Sequence, residues 1–147
     1  MLRRARARES LLGLAIGDAF GETLFDDRPD VVAERIAKRA LAPHRPWPWT
    51  DDTAMALSIV EVLGRHHTID VDALAEALAR RWEAEPHRGC GQGAFTSLAR
   101  VRAGAPWRPE AQRLFGGHGS FGNGAAMRAA PIGAYFAGDP ARARAPF

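Results

Sequence analysis

Leu11, Leu12, Leu14, Ala15, Ile16, Ala19 and Phe20 place apolar side chains nearly all round one helix. That is the pattern of a helix held inside a larger body. Gly13, Gly17 and Gly21 recur every four residues on one of its faces. Each glycine costs roughly 1 kcal/mol of helix propensity against alanine, so the row implies close approach by another helix or a ligand. A second apolar run, Ala54, Met55, Leu57, Ile59, Val60, Val62 and Leu63, is interrupted only by Ser58 and Glu61. It predicts a largely buried helix from Asp51 to Leu63, ended by Gly64. His66 and His67 then fall in a loop as solvent-exposed histidines. Asp70 caps a cleanly amphipathic helix whose stripe is Val71, Leu74, Ala75, Leu78, Ala79 and Trp82. Glu76 and Arg80 are spaced to pair on its outer face, and Pro86 stops it.

The remaining segments are shorter. Asp26–Asp30 reads as a loop, and Asp30 is placed to cap a helix from Val31 to Ala40. Residues 42–49 carry three prolines and two tryptophans, which enforces an extended path. A helix is expected over Ala94–Ala103, broken by Gly104-Ala105-Pro106. Another is expected over Ala125–Phe136, kinked at Pro131. No segment alternates as a strand would. The expected fold class is all-α, a compact bundle of five or six helices.

Composition agrees. At 147 residues the chain fits one domain, and 46% apolar with 25% charged residues reads as soluble and globular. Alanine, leucine and arginine outweigh valine and isoleucine, favouring helix over sheet. Part of the formal charge of +3 sits at Arg3, Arg4, Arg6 and Arg8. Residues 1–9 read as a basic arm, solvated rather than engaged, so no nucleic-acid or membrane partner is expected. Cys90 is the single cysteine, which excludes an intrachain disulfide. The apolar run from Leu11 to Gly17 is far too short to span a bilayer. A cytoplasmic location is expected.

Two stretches carry candidate chemistry. Thr50-Asp51-Asp52-Thr53 opens the second helix with four hydroxyl or carboxylate side chains. Such hard oxygens suit Mg²⁺ or Mn²⁺; equally, they can serve as an N-cap with acids at the positive end of the helix dipole. Residues 116–128 read Gly-Gly-His-Gly-Ser-Phe-Gly-Asn-Gly-Ala-Ala-Met-Arg and feed a helix. Backbone N–H groups there can cradle a phosphate, or the stretch is a linker ending in an Asn123 cap.

Three blocks, taken in order, resemble the ADP-ribosylglycohydrolase family, of the dinitrogenase reductase-activating glycohydrolase type. They are Gly13 to Gly21, Trp49 to Thr53, and Gly122 to Arg128 with Pro131-Ile132-Gly133. The resemblance covers nearly all of the chain after the arm, residues 10–147. It implies the family's compact helical bundle and hydrolysis at the ribose anomeric carbon of an ADP-ribosylated protein or small molecule. It assigns Thr50, Asp51 and Asp52 to a dinuclear Mg²⁺ or Mn²⁺ centre. It assigns Ser120, Gly122, Asn123, Gly124 and Met127 to ADP-ribose contact. Asp51 and Asp52 are then catalytic as ligands, Asp18 is structural, and Glu22 is the acid/base candidate.

The chain departs from the family at two positions. Phe25 stands where several members carry a glutamate, and Gly91 or its neighbours stand where arginine-specific members carry an aspartate. Family domains are also longer and continue into a second aspartate- and threonine-rich motif that nothing after Gly138 resembles. The sequence therefore reads as an apparently truncated, N-terminal part of such a domain. Its apolar helices are expected to leave surface open to self-association. The competing reading is a non-catalytic ADP-ribose-binding or structural helical module.

Overall fold

Eight α-helices order the part of the chain that the computed structural model describes, residues 2–25, 27–40, 46–120 and 122–143. They are α1 (Leu2–Glu22), α2 (Pro29–Ala37), α3 (Asp51–His66), α4 (Val71–Ala84), α5 (Gln92–Arg102), α6 (Trp107–Arg113), α7 (Ala130–Tyr135) and α8 (Pro140–Ala143). Short 3-10 turns cover Leu114–Gly117 and Asn123–Ala125. No strand occurs among the described residues, so the all-α expectation holds.

The helix with the most continuous apolar run sits in the middle. α3 packs against α1 on one side and α4 on the other, and α7 lies across α1 and α3. α5 stacks on the far side of α4, and α6 on α5. Ile59 and Leu63 of α3, each 1% exposed, join Ala7, Ile69, Tyr135 and Phe136 in one core cluster. Each of the two aliphatic side chains contributes about 1.5–3 kcal/mol of burial. Small side chains let α3 and α4 approach closely, and Ala77 and Ala79 are fully enclosed. Ser58 is buried with them, its hydroxyl 3.4 Å from the Ala77 carbonyl while it accepts from Arg81 Nε at 3.1 Å.

Several sequence expectations are corrected. The basic arm is not separate, because residues 2–9 form the first turns of α1. Ala7 is buried there, and Arg6 Nε donates to the Ala134 carbonyl at 3.0 Å. The rest of α1 is less enclosed than its apolar pattern suggests, for Leu12 and Ile16 are 62% and 56% exposed. α3 runs through Gly64 and ends instead at His67, which adopts the left-handed conformation at φ 60°. Arg80 pairs with Glu61 of α3 at 2.6 Å, not with Glu76, because the neighbouring helix offers a half-buried acceptor. Pro131 does not kink a long helix. It sits in the first turn of α7, where its missing N–H costs nothing.

Other expectations hold. Asp70 accepts from Ala73 N at 2.9 Å as the cap of α4, and His66 and His67 are exposed. The helices α6 and α8 are additions that periodicity did not reveal. Of the segments expected to be irregular, Asp26 and residues 42–45 lie outside the described residues, as do Phe121 of the glycine-rich stretch and Met1 and residues 144–147 at the ends.

The glycine row gives a direct test of how open α1 is. A Cβ added at Gly13, Gly17 or Gly21 meets nothing within 4 Å. Gly17→Ala is therefore expected to stabilise the chain by about 1 kcal/mol through helix propensity. Denaturant unfolding measures this, and a loss of stability would show that a partner packs on that face.

Candidate active site

Asp18, near the end of α1, is the residue around which the tetrad is built. Its Oδ1 accepts from Thr50 Oγ1 at 2.6 Å. Its Oδ2 accepts from Thr50 N at 2.9 Å, Thr53 N at 3.2 Å and Thr53 Oγ1 at 2.5 Å. One carboxylate thus holds the entry to α3 from a different helix. Burial pushes the Asp18 carboxyl up, but the donors from Thr50 and Thr53 outweigh it and hold it below the ordinary aspartate range.

Thr50 is the N-cap of α3, accepting weakly from Asp52 N at 3.4 Å. The next two residues carry the free carboxylates. Both are pushed above the ordinary range, first by burial. The negative charge of Asp18 adds to each, and Asp51 also raises Asp52. Capping and ligation are compatible, because the cap employs Thr50 while Asp51 and Asp52 keep their oxygens. Clustered anions at a helix start are the donor chemistry of a hard divalent cation. Among the described residues no group of three or more His, Cys, Asp or Glu side chains closes into a metal cage. Thr50, Asp51 and Asp52 therefore fit one side of a metal site.

The α4–α5 loop fixes the other edge. Asp51 N donates to the Arg88 carbonyl at 2.7 Å. Arg88 also donates to the Trp49 carbonyl at 3.0 Å and lies 3.4 Å from the centre of the Trp49 ring. Gly89 follows at φ +90°, a turn that a side chain would strain. Cys90 lies beside the Asp51 side chain. Burial pushes its thiol up to about 11, and the charge of Asp51 adds to the effect. Arg128 supplies the nearby positive charge that favours ionised Asp51. Burial lowers its own value, which Asp51 and Cys90 partly restore. Its NH1 donates to Met55 Sδ at 3.0 Å.

A groove of about 970 Å³ opens from Asp51. Ser120, Gly122, Asn123, Gly124, Met127 and Arg128 form one wall, and residues of α5 and α6 form the other. The glycine-rich segment is a turn, not the start of a long helix. Ser120 Oγ accepts from Gly122 N at 3.0 Å, and Met127 N donates to the Asn123 carbonyl at 3.0 Å. Asn123 makes no side-chain cap, which corrects that expectation. Phe115 also lines the groove, 56% exposed and in the left-handed region at φ 52°. Such a conformation in an aromatic residue is costly and often marks a binding surface.

The structure thus brings Asp51 together with all five expected substrate contacts, and ties Thr50 and Asp52 to it through the cap. Glu22 is not brought in: it is exposed at the end of α1 and does not line the groove. α1 places it one turn beyond Asp18, at the last residue of the helix. Phe25 is likewise exposed, at 83%. Sequence reasoning missed Arg88, Cys90, Arg128 and Phe115 as site residues. The signals present were Trp49, a flat face for a guanidinium, and the Met-Arg pair closing the glycine-rich block.

The sequence profile of the ADP-ribosylglycohydrolase family matches residues 1–146. ADP-ribosylhydrolase ARH3 of Danio rerio is 33% identical over 141 residues, covering 90% of this chain and 38% of that protein. The ADP-ribosyl-[dinitrogen reductase] glycohydrolase of Rhodospirillum rubrum is 30% identical over 145 residues, covering 92% and 46%. ADP-ribosylarginine hydrolase Tri1 of Serratia proteamaculans is 37% identical over 76 residues, covering 51% and 21%. The chain therefore spans less than half the length of these relatives.

Asp18→Asn is expected to cost about 2 kcal/mol, because an amide replaces a charged acceptor of several hydrogen bonds. The sign with pH follows from the lowered value of Asp18. Its contribution is fully present above the unfolded-state value of about 4 and is lost as pH falls through the folded value. Unfolding of both proteins between pH 7 and pH 2.5 should show the gap narrowing towards acid.

Proposed function

Because the chain belongs to the ADP-ribosylglycohydrolase family, we propose that it is a metal-dependent hydrolase cleaving ADP-ribose from a modified protein or small molecule at the ribose anomeric carbon. The observation that carries this reading is the single groove that joins Asp51 to the Ser120–Met127 wall. A binding surface and the Asp51 carboxylate share one cavity.

Thr50, Asp51 and Asp52 would hold Mg²⁺ or Mn²⁺. When bound, a metal pair supplies Lewis acidity and lowers the pKa of a bound water. The chain's own residues set the conditions. Asp18 fixes the position of the tetrad, and four donors keep it ionised. Asp51 is oriented by its backbone bond to Arg88, with the Cys90 thiol beside it. Gly122, Asn123 and Gly124 line the groove where a diphosphate would lie, with Arg128 in the same lining as the cation. The exposed Phe115 ring offers a face on which a flat base can stack.

A second reading, ADP-ribose binding without hydrolysis, is favoured by the position of Glu22. Glu22, the acid/base candidate drawn from α1, does not line the groove. The two readings share the binding step and part at the chemistry.

The test follows the metal and the nucleotide separately. Mn²⁺ is expected to raise the Tm of the wild-type chain by several degrees through preferential binding to the folded state. Asp51→Asn and Asp52→Asn should lose that response while matching or exceeding the metal-free wild type, since each removes a destabilising like charge. ADP-ribose should bind the wild-type groove, measured by calorimetry. Release of ADP-ribose from a modified protein with Mn²⁺ selects the hydrolase; binding without release selects the module. Absence of both Mn²⁺ and ADP-ribose binding overturns the proposal.

A further inference from the structure

The structure carries a second concave site that shares no lining residue with the groove. Leu2, Arg3, Arg4, His67, Tyr135 and Arg142 line a cavity of about 550 Å³ at the N-terminal end of α1. Its polar groups are almost all donors, and the hydrogen-bond network shows why.

Arg4 NH2 lies 3.4 Å from His67 Nε2 and donates to the Gly64 carbonyl at 2.6 Å. A guanidinium stays protonated and only donates, so Nε2 is assigned as the acceptor. The neutral ring then carries its hydrogen on Nδ1, which donates to Tyr135 Oη at 3.2 Å. The left-handed backbone at His67 sets the ring in this bridging position. Tyr135 is only 3% exposed. With its oxygen already accepting, its own O–H hydrogen has no acceptor among the described residues. A desolvated donor left open is costly to the fold.

The other members point the same way. Arg3 has one carboxylate near it among the described residues, Asp139 at the long distance of 3.7 Å. Arg142 lies 5.7 Å from the Phe136 ring centre. Three guanidinium groups, a phenol hydrogen and the positive end of a 21-residue helix therefore converge against a single carboxylate. Phosphate oxygens are acceptors in several directions and match guanidinium forks. The volume is large enough for a phosphate with a nucleoside attached.

We propose that this basin is a phosphate-binding site, taking inorganic phosphate or the phosphate of a mononucleotide. Titration of the 147-residue chain with phosphate, AMP and adenosine at constant ionic strength, followed by two-dimensional NMR, tests it. Phosphate and AMP should saturably shift the signals of Tyr135, His67 and the first turn of α1, and adenosine should not. Equal affinities identify phosphate as the ligand, and tighter AMP identifies a nucleotide. The double variant Arg3→Gln/Arg142→Gln should weaken binding at least tenfold. Tyr135→Phe keeps the packed ring and removes only the hydroxyl, so it checks the site should the double variant fail to fold; a severalfold loss is expected. Shifts confined to residues 122–128, an unsaturable response, adenosine binding as well as AMP, or folded variants that bind like the wild type would each overturn the proposal.

Discussion

One carboxylate organises the region that matters. Asp18 accepts from Thr50 and Thr53 through both backbone and hydroxyl donors, so the end of α1 and the start of α3 behave as a single unit. The geometry leaves Asp18 with little capacity for anything else. Asp51 and Asp52 are consequently the free acids, and their position is inherited from a helix distant in sequence. The Pro-Trp segment is bound into the same unit: the Phe20 and Trp47 rings lie 5.5 Å apart, and Arg88 covers Trp49.

The three aspartates are chemically unlike despite lying within one small region. Asp18 is stabilised as an anion by neutral donors, whereas Asp51 and Asp52 are desolvated and repelled by it. The clamp therefore creates the electrostatic tension of its neighbours as well as their position. Arg128 relieves part of that tension at Asp51 only. A region that holds its acids in this state gives up folding free energy for chemistry, a common relation between active sites and stability.

The sequence revealed what local periodicity and capping control. The central helix, the Asp70 cap, the amphipathic α4 and the absence of strands among the described residues all follow from residues close together in the chain. The three motif blocks also located the groove wall and the tetrad. What stayed hidden depends on contacts across the chain. Nothing local distinguishes Arg128 from other arginines until Asp51 stands beside it. The ion pair between Arg80 and Glu61 displaced the local i,i+4 alternative for the same reason. α1 misled in the opposite direction, because an all-round apolar pattern says nothing of which neighbours are in place. Pro131 was read as a kink because the helix was assumed to begin at the glycine-rich turn rather than beyond it.

The burial of Cys90 beside Asp51 has a consequence for the durability of the site. With the thiol pushed up to about 11, only about one molecule in ten thousand carries the reactive thiolate at neutral pH. Peroxide and alkylating agents act on that thiolate, so the sulfur beside Asp51 is chemically quiet. Burial first, with the charge of Asp51 adding to it, thus shields the thiol from oxidative damage.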